Sequence, residues 1–171
     1  MKYVLEDFKS DSLSMVILDK EDLCLINNPN ESSYYVKKIT KEDFAFTVNE
    51  FYWVCPYVAK GLARNQLFYA MKHMNIIRSE LENMIDWWIG LKNNYQISVG
   101  KVKSRYQELL PKELFETYVK TYSEINNESI FNSLFQAVEL FDMLAIELAN
   151  KYNFDYSESI KHEMVSFLKR Y

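Results

Sequence analysis

Glycine and proline are scarce, three of each in 171 residues, and this excludes an all-β sandwich built on many tight turns. Cysteine is nearly absent too. Cys24 and Cys55 stand far apart, with no C-x-x-C pair and no small secreted context, so neither a zinc site nor a disulfide framework is indicated. Both are read as buried, reduced thiols. No uninterrupted apolar segment approaches the ~20 residues of a membrane span, and the N-terminal M-K-Y-V-L-E-D-F-K-S-D carries acids where a signal peptide needs an apolar run. A soluble, cytoplasmic protein with no membrane partner is expected. Neither sign of charge dominates: 20 Lys and Arg stand against 24 Asp and Glu, for a net charge of −4. The scattered cations argue against a nucleic-acid-binding face and suit a cationic ligand better. The two histidines, His73 and His162, have no second ligand at metal spacing, so no metal site is expected.

What the chain does have is apolar and aromatic mass. Hydrophobic residues make up 49% and aromatics 16%, ample for one packed core. The periodicity predicts a mainly α fold, a bundle of about five or six helices with a small N-terminal β-hairpin. Residues 1–39 read as a connector plus the hairpin, and residues 40–171 as a helical domain. Ser14 to Asp19 and Leu23 to Ile26 are the hairpin's two apolar runs, around Lys20-Glu21-Asp22. Met1 to Ser10 reads as a short helix or ordered arm, and Glu31 to Ile39 stays ambiguous between an extended link and a helix start. Thr40, followed by Lys41, Glu42 and Asp43, opens the first long helix, with Thr40 as N-cap. Pro56 should kink that helix or start a new one. From Asn65 to Lys92 the apolar residues recur every three or four positions, the mark of a long amphipathic helix. On its polar edge Arg78 and Glu82 stand four apart, the spacing of a surface ion pair. A short helix stopped by Pro111, a helix through Leu114 to Val119, a largely buried helix capped by Asn126 or Asn127, and a last helix over Ser157 to Lys169 complete the chain.

The stretch from Asn49 to Asn75, N-E-F-Y-W-V-C-P-Y-V-A-K-G-L-A-R-N-Q-L-F-Y-A-M-K-H-M-N, concentrates the chemistry. It carries Glu50, an aromatic cluster (Phe51, Tyr52, Trp53, Tyr57) and the cations Lys60 and Arg64. Four residues apart on a helix, Lys60 and Arg64 lie on one face and can hold one polyanion. Set against this, aromatics at helical spacing are more often core than ligand platform, and helix cations are usually solvated. A groove beside Pro56 would be lined by Glu50, Trp53 and Tyr57. Gly61 permits close approach of another helix or of a ligand.

The run N-E-F-x-W-V-x-P-Y-V-x-K-G-L-x-R from Asn49 to Arg64 resembles the segment that opens the C-terminal helical domain of aminoglycoside 6-adenylyltransferases (streptomycin adenylyltransferases). Further matches follow in order: the L-F-x-A helix with His73 and Asn75, R-x-E-L-x-x-M-I-x-W from Arg78 to Trp87, and S-V-G-K from Ser98 to Lys101. The family's G-S-x and D-x-D motifs, which belong to its N-terminal nucleotidyltransferase domain and bind ATP and magnesium, occur nowhere in this chain. Met1 to Lys9 looks like the segment just after that domain.

The resemblance implies a helical domain that contacts drug and phosphate in an enzyme passing AMP from ATP to a streptomycin hydroxyl. Alone, the chain is expected to be inactive and to hold neither ATP nor magnesium. Aminoglycosides are polycations rich in hydroxyls, so carboxylates and flat aromatic surfaces should receive them. Trp53, Tyr57, Asp86 and Trp87 are the expected drug contacts, and Glu50, among aromatics that would desolvate it, the expected catalytic base. Lys60 and Arg64 would neutralise phosphate; Lys101 joins them on the resemblance and if its loop folds back. Partners would be an aminoglycoside and a nucleotidyltransferase domain. The alternative is a stand-alone helical module that binds a protein partner or sequesters a cationic small molecule.

Overall fold

The computed structural model describes residues 11–18, 20, 28–157 and 159–171. Among these it contains six α-helices and no strand: α1 (Lys41–Ala63), α2 (Leu67–Lys92), α3 (Tyr106–Leu109), α4 (Lys112–Val119), α5 (Asn127–Tyr152) and α6 (Ser159–Leu168). Single 3-10 turns stand at Ser32–Tyr34 and Lys101–Lys103.

Thr40 caps α1 as its sequence requires. Its hydroxyl accepts from the Asp43 amide at 3.1 Å and donates to the Asp43 carboxylate at 2.7 Å, closing the first turn reciprocally. The helix then passes Pro56 without a break, which corrects the expected start of a new helix there. Phe51, Val54, Cys55, Val58 and Ala59 on both sides of the proline are buried. Packing along that stripe outweighs one missing amide hydrogen bond.

Helix α1 turns back into α2 through Arg64–Gln66. Asn65 adopts the left-handed conformation at φ 56, and the Gln66 amide donates to the Gly61 carbonyl at 2.8 Å. Gly61 lets the two helices meet: a Cβ there would lie 2.9 Å from the Tyr69 ring and 3.2 Å from Ala70. The pair is antiparallel, with Gly61 against Tyr69 and Tyr57 against His73.

Helix α5 completes the core. Its Phe141 stacks on Phe51 with ring centroids 3.7 Å apart, and Ile130, Leu134, Val138, Leu144 and Leu148 are fully buried with it. Asn126 caps it by accepting from the Ser129 amide at 2.8 Å, and left-handed Asn153 closes it. Helix α5 is long and apolar enough, by length and composition, to cross a membrane. Its apolar positions face α1, α2, α4 and α6, as in the core helix of a bundle. Cys55 is buried and free, and burial pushes its thiol well above the ordinary value; Cys24 lies outside the described residues.

Three other expectations need adjustment. The N-terminal hairpin is not supported: residues 14–18 form no strand, and Ile17 and Leu18 are exposed. An isolated hairpin is marginal without a sheet or helix to pack on, and local polar bonds take its place. The Leu13 amide donates to the Asp11 carboxylate, and the Asn30 amide to the Ser12 carbonyl. The second arm, Leu23 to Ile26, and the Met1 to Ser10 arm lie outside the described residues. The Glu31–Ile39 link resolves into a 3-10 turn followed by extended backbone, with the Val36 amide donating to the Ile97 carbonyl at 2.9 Å.

Arg78 is the third. It does not pair with Glu82 on the surface but is buried, 5% exposed. Its guanidinium donates to the Thr121 carbonyl at 2.8 Å and to the Asn75 side chain, and it lies over the Tyr122 ring. Glu82 accepts from the Tyr118 hydroxyl at 2.7 Å.

Candidate functional site

Seven residues are close to two helical turns, so residues seven apart share a face. On α1 this places Phe46, Glu50, Trp53, Tyr57, Lys60 and Arg64, the C-cap residue, along one stripe. It is the helix's outer side: Phe46 and Trp53 are 65% and 64% exposed, and Lys60 and Arg64 are exposed. The core-facing stripe of the same helix runs through Phe44, Phe51, Cys55 and Val58. The aromatic cluster seen in the sequence is thus divided. Phe51 and Tyr52 serve the core, whereas Trp53 and Tyr57 face outward.

Two elements flank this stripe. On one side α6 brings Ile160 and Met164 against Asn49, Tyr52, Trp53, Pro56, Tyr57 and Lys60 to form an open cleft of about 380 Å³. The groove beside Pro56 therefore exists, and Lys60 rather than Glu50 lines it with Trp53 and Tyr57. Of its lining residues, Tyr52 is tied into a polar network. The Tyr52 and Tyr156 hydroxyls are 3.0 Å apart, Tyr156 donates to Asp142 at 2.8 Å, and Lys161 bridges Asp142 and Glu139 at 3.3 and 2.6 Å. Burial drives both phenol pKa values far up, so the hydroxyls stay protonated.

On the other side lies α2. The antiparallel register that sets Tyr57 against His73 sets Glu50 opposite Glu80, seven residues further along each helix. Burial raises the Glu80 carboxyl above its ordinary value; hydrogen bonds from Thr47 and Asn83 oppose this and the Glu50 charge reinforces it. The His73 ring stacks against Tyr57, centroids 5.3 Å apart, and against Tyr69 at 4.2 Å. The Lys60 ammonium lies 5.4 Å from the centre of the Tyr57 ring, a cation–π distance. Among the described residues neither Lys60 nor Arg64 has a carboxylate partner within ion-pairing distance. Both also complement the negative end of the α1 dipole.

The structure thus brings Glu50, Trp53, Tyr57, Lys60 and Arg64 onto one surface. Trp87 is on the matching stripe of α2, seven residues beyond Glu80. Asp86, one residue earlier, turns about 100° away, accepting from the Tyr106 hydroxyl at 2.6 Å and pairing with Lys103. Lys101 sits beside that ion pair, in a segment where Gly100, Val102 and Lys103 have φ of 77, 54 and 60. For a β-branched residue such as Val102 that backbone is strained. Lys103 meets Asp86 and Gly61 meets Ala70, sixteen residues apart on α2, so Lys101 and the Lys60–Arg64 pair are separated by about 24 Å of helix.

Sequence reasoning missed Glu80, Tyr69, Ile160 and Met164. Glu80 stood inside the R-x-E-L run, and the α1–α2 register was the signal that places it opposite Glu50. Ile160 and Met164 had only their apolar period. Among the described residues no group of three or more His, Cys, Asp or Glu side chains converges on a point that could hold a metal.

Comparison with known proteins places this architecture. The sequence model of streptomycin adenylyltransferase matches residues 1–171. An aminoglycoside 6-adenylyltransferase of Campylobacter jejuni is 31% identical over all of this chain and 61% of its own length. One of Bacillus subtilis strain 168 is 35% identical over 91% of this chain and 57% of its own length. One of Staphylococcus aureus is 32% identical, over 86% and 53%. A crystal structure of an aminoglycoside 6-adenyltransferase from Bacillus subtilis superposes with a TM-score of 0.71 at 28% identity, covering 98% of this chain and 62% of that one. The chain spans between about half and three-fifths of the length of these relatives. With the ordered motifs from Asn49 to Lys101 and a helical bundle shared with a solved relative, the chain belongs to the streptomycin adenylyltransferase family.

Proposed function

We propose that this chain is the drug- and phosphate-contacting helical part of an aminoglycoside nucleotidyltransferase, acting in the cytoplasm on a streptomycin-type hydroxyl together with a nucleotidyltransferase domain. The observation that carries the reading is the outer face of α1, where Glu50, Trp53, Tyr57 and Lys60 stand together and largely free of core packing. A polycationic, hydroxyl-rich ligand needs carboxylates for its charge and flat rings for its apolar faces. Glu50 with Glu80 supplies the first, Trp53 and Tyr57 the second, and Trp87 extends the surface along α2. Glu50 is the group we assign as acceptor of the hydroxyl proton.

The two cation sets stand at opposite ends of α2, so one triphosphate meets one of them. We assign it to Lys60 and Arg64, which share a stripe with Glu50. Asp86, held by Lys103 and Tyr106, is the less accessible of the expected drug contacts. The family's ATP and magnesium need metal-binding carboxylates that the described residues do not assemble. We assign the holding of both to the nucleotidyltransferase domain, and the chain by itself is proposed to bind drug without adenylylating it.

Calorimetric titration of streptomycin into the purified chain at low and moderate salt tests this. Saturable binding that Glu50→Gln weakens supports it. Absence of binding at millimolar drug removes it and favours a helical module that docks a protein partner through the exposed Phe46, Trp53 and Phe68.

A further inference from the structure

Helix α2 carries one residue whose chemistry the reading above leaves unused. His73 is partly buried, and its ring packs against the rings of Tyr57 and Tyr69. Its Nδ1 lies 2.8 Å from the Tyr69 carbonyl oxygen. A carbonyl oxygen only accepts, so Nδ1 carries the hydrogen. In the neutral imidazole Nε2 is then a bare lone pair, an acceptor that does not donate. No side chain among the described residues occupies that nitrogen. It stands beside Tyr57, two helical turns from Glu80, on the stripe shared by Tyr69, Glu80 and Trp87.

From this arrangement we infer that His73 is a ligand-contacting residue: its Nε2 accepts a hydrogen bond from a hydroxyl or ammonium group of the aminoglycoside bound along the α1–α2 face. The inference rests on the drug-binding reading and extends it from the carboxylates to a neutral acceptor. The neighbourhood suits that role. Tyr69 fixes the tautomer, as a backbone carbonyl does for a histidine whose other nitrogen meets a ligand. The two tyrosine rings limit rotation of the imidazole. A polyol offers donors that carboxylates alone would over-attract but not orient. A fixed, neutral acceptor contributes direction rather than charge.

The test combines two readouts on the full chain with streptomycin as probe. Long-range proton–nitrogen NMR of the imidazoles should show His73 as the Nδ1-protonated tautomer, with its Nε2 resonance moving as drug is added. In calorimetry His73→Phe, which keeps the aromatic stack and removes the acceptor, should weaken binding roughly 5- to 10-fold, the loss expected for one hydrogen bond. His73→Gln, whose side-chain oxygen reaches about as far as Nε2, should stay within roughly 3-fold of the parent. The Nε2-protonated tautomer, an unmoved Nε2 resonance in saturated chain, or His73→Phe binding as well as the parent would overturn the inference while leaving drug binding standing. A parent chain that binds no streptomycin would overturn both.

Discussion

Arg78 is a cation placed where water cannot reach it, and its stability rests on two oxygen acceptors and an aromatic face. Burial lowers its pKa, yet guanidinium stays charged. Arg78→Ala strands the buried Thr121 carbonyl and opens a gap, so we expect a loss of about 3 kcal/mol, read as a lowered midpoint in urea denaturation. Glu80 has the opposite sign of consequence. Its native pKa is raised, so the folded state holds a proton that the unfolded state releases first. The resulting penalty is absent below the ordinary carboxylate range, grows as pH rises toward the raised native value, and persists at neutral pH. Glu80→Gln should therefore raise the melting temperature near pH 7 and leave it unchanged near pH 3. The sequence could not show either environment. Spacing alone put Arg78 beside Glu82, because the Thr121 carbonyl that claims it lies 43 residues away. By contrast Thr40 was fully legible, since its cap is made within four residues.

Helices α1, α2 and α5 were legible because their apolar residues keep a 3.6-residue period over more than twenty positions. What local rules misjudged was Pro56, which ends a helix only when nothing else holds it. Buried Phe51, Val54, Cys55 and Val58 do hold it. Since α1 runs through the proline, Pro56→Ala should restore one amide hydrogen bond and stabilise the chain by about 1–2 kcal/mol, measured by chemical denaturation. The stacked pair across α1 and α5 should be far more sensitive. Phe141→Ala removes the ring that lies 3.7 Å from Phe51 and should cost about 3–5 kcal/mol. The hairpin failed for the converse reason: its apolar runs were visible, but Met15, Ile17 and Leu18 find no surface to cover. Cleft-forming Ile160 and Met164 were legible only as apolar positions, because which helix they meet is set by the α5–α6 connection.

At the scale of the molecule, the proposed ligand surface is the outer face of α1 and the α1–α2 seam, with carboxylates at the centre and Lys60 and Arg64 at one end. The motifs that made the family visible lie mostly along this seam. That Lys101 belongs to the opposite end could not be read from its motif, because only the antiparallel turn at Gly61 determines which ends of α1 and α2 coincide. The most direct measurement is amide chemical-shift mapping of the isotopically labelled chain during streptomycin titration. The account predicts saturable shifts concentrated between residues 46 and 64 and between 69 and 87, strongest near Glu50, Trp53, Tyr57 and Glu80. Shifts confined to the polar recess around Tyr122, Ser129 and Gln136, or none at saturating drug, would contradict it.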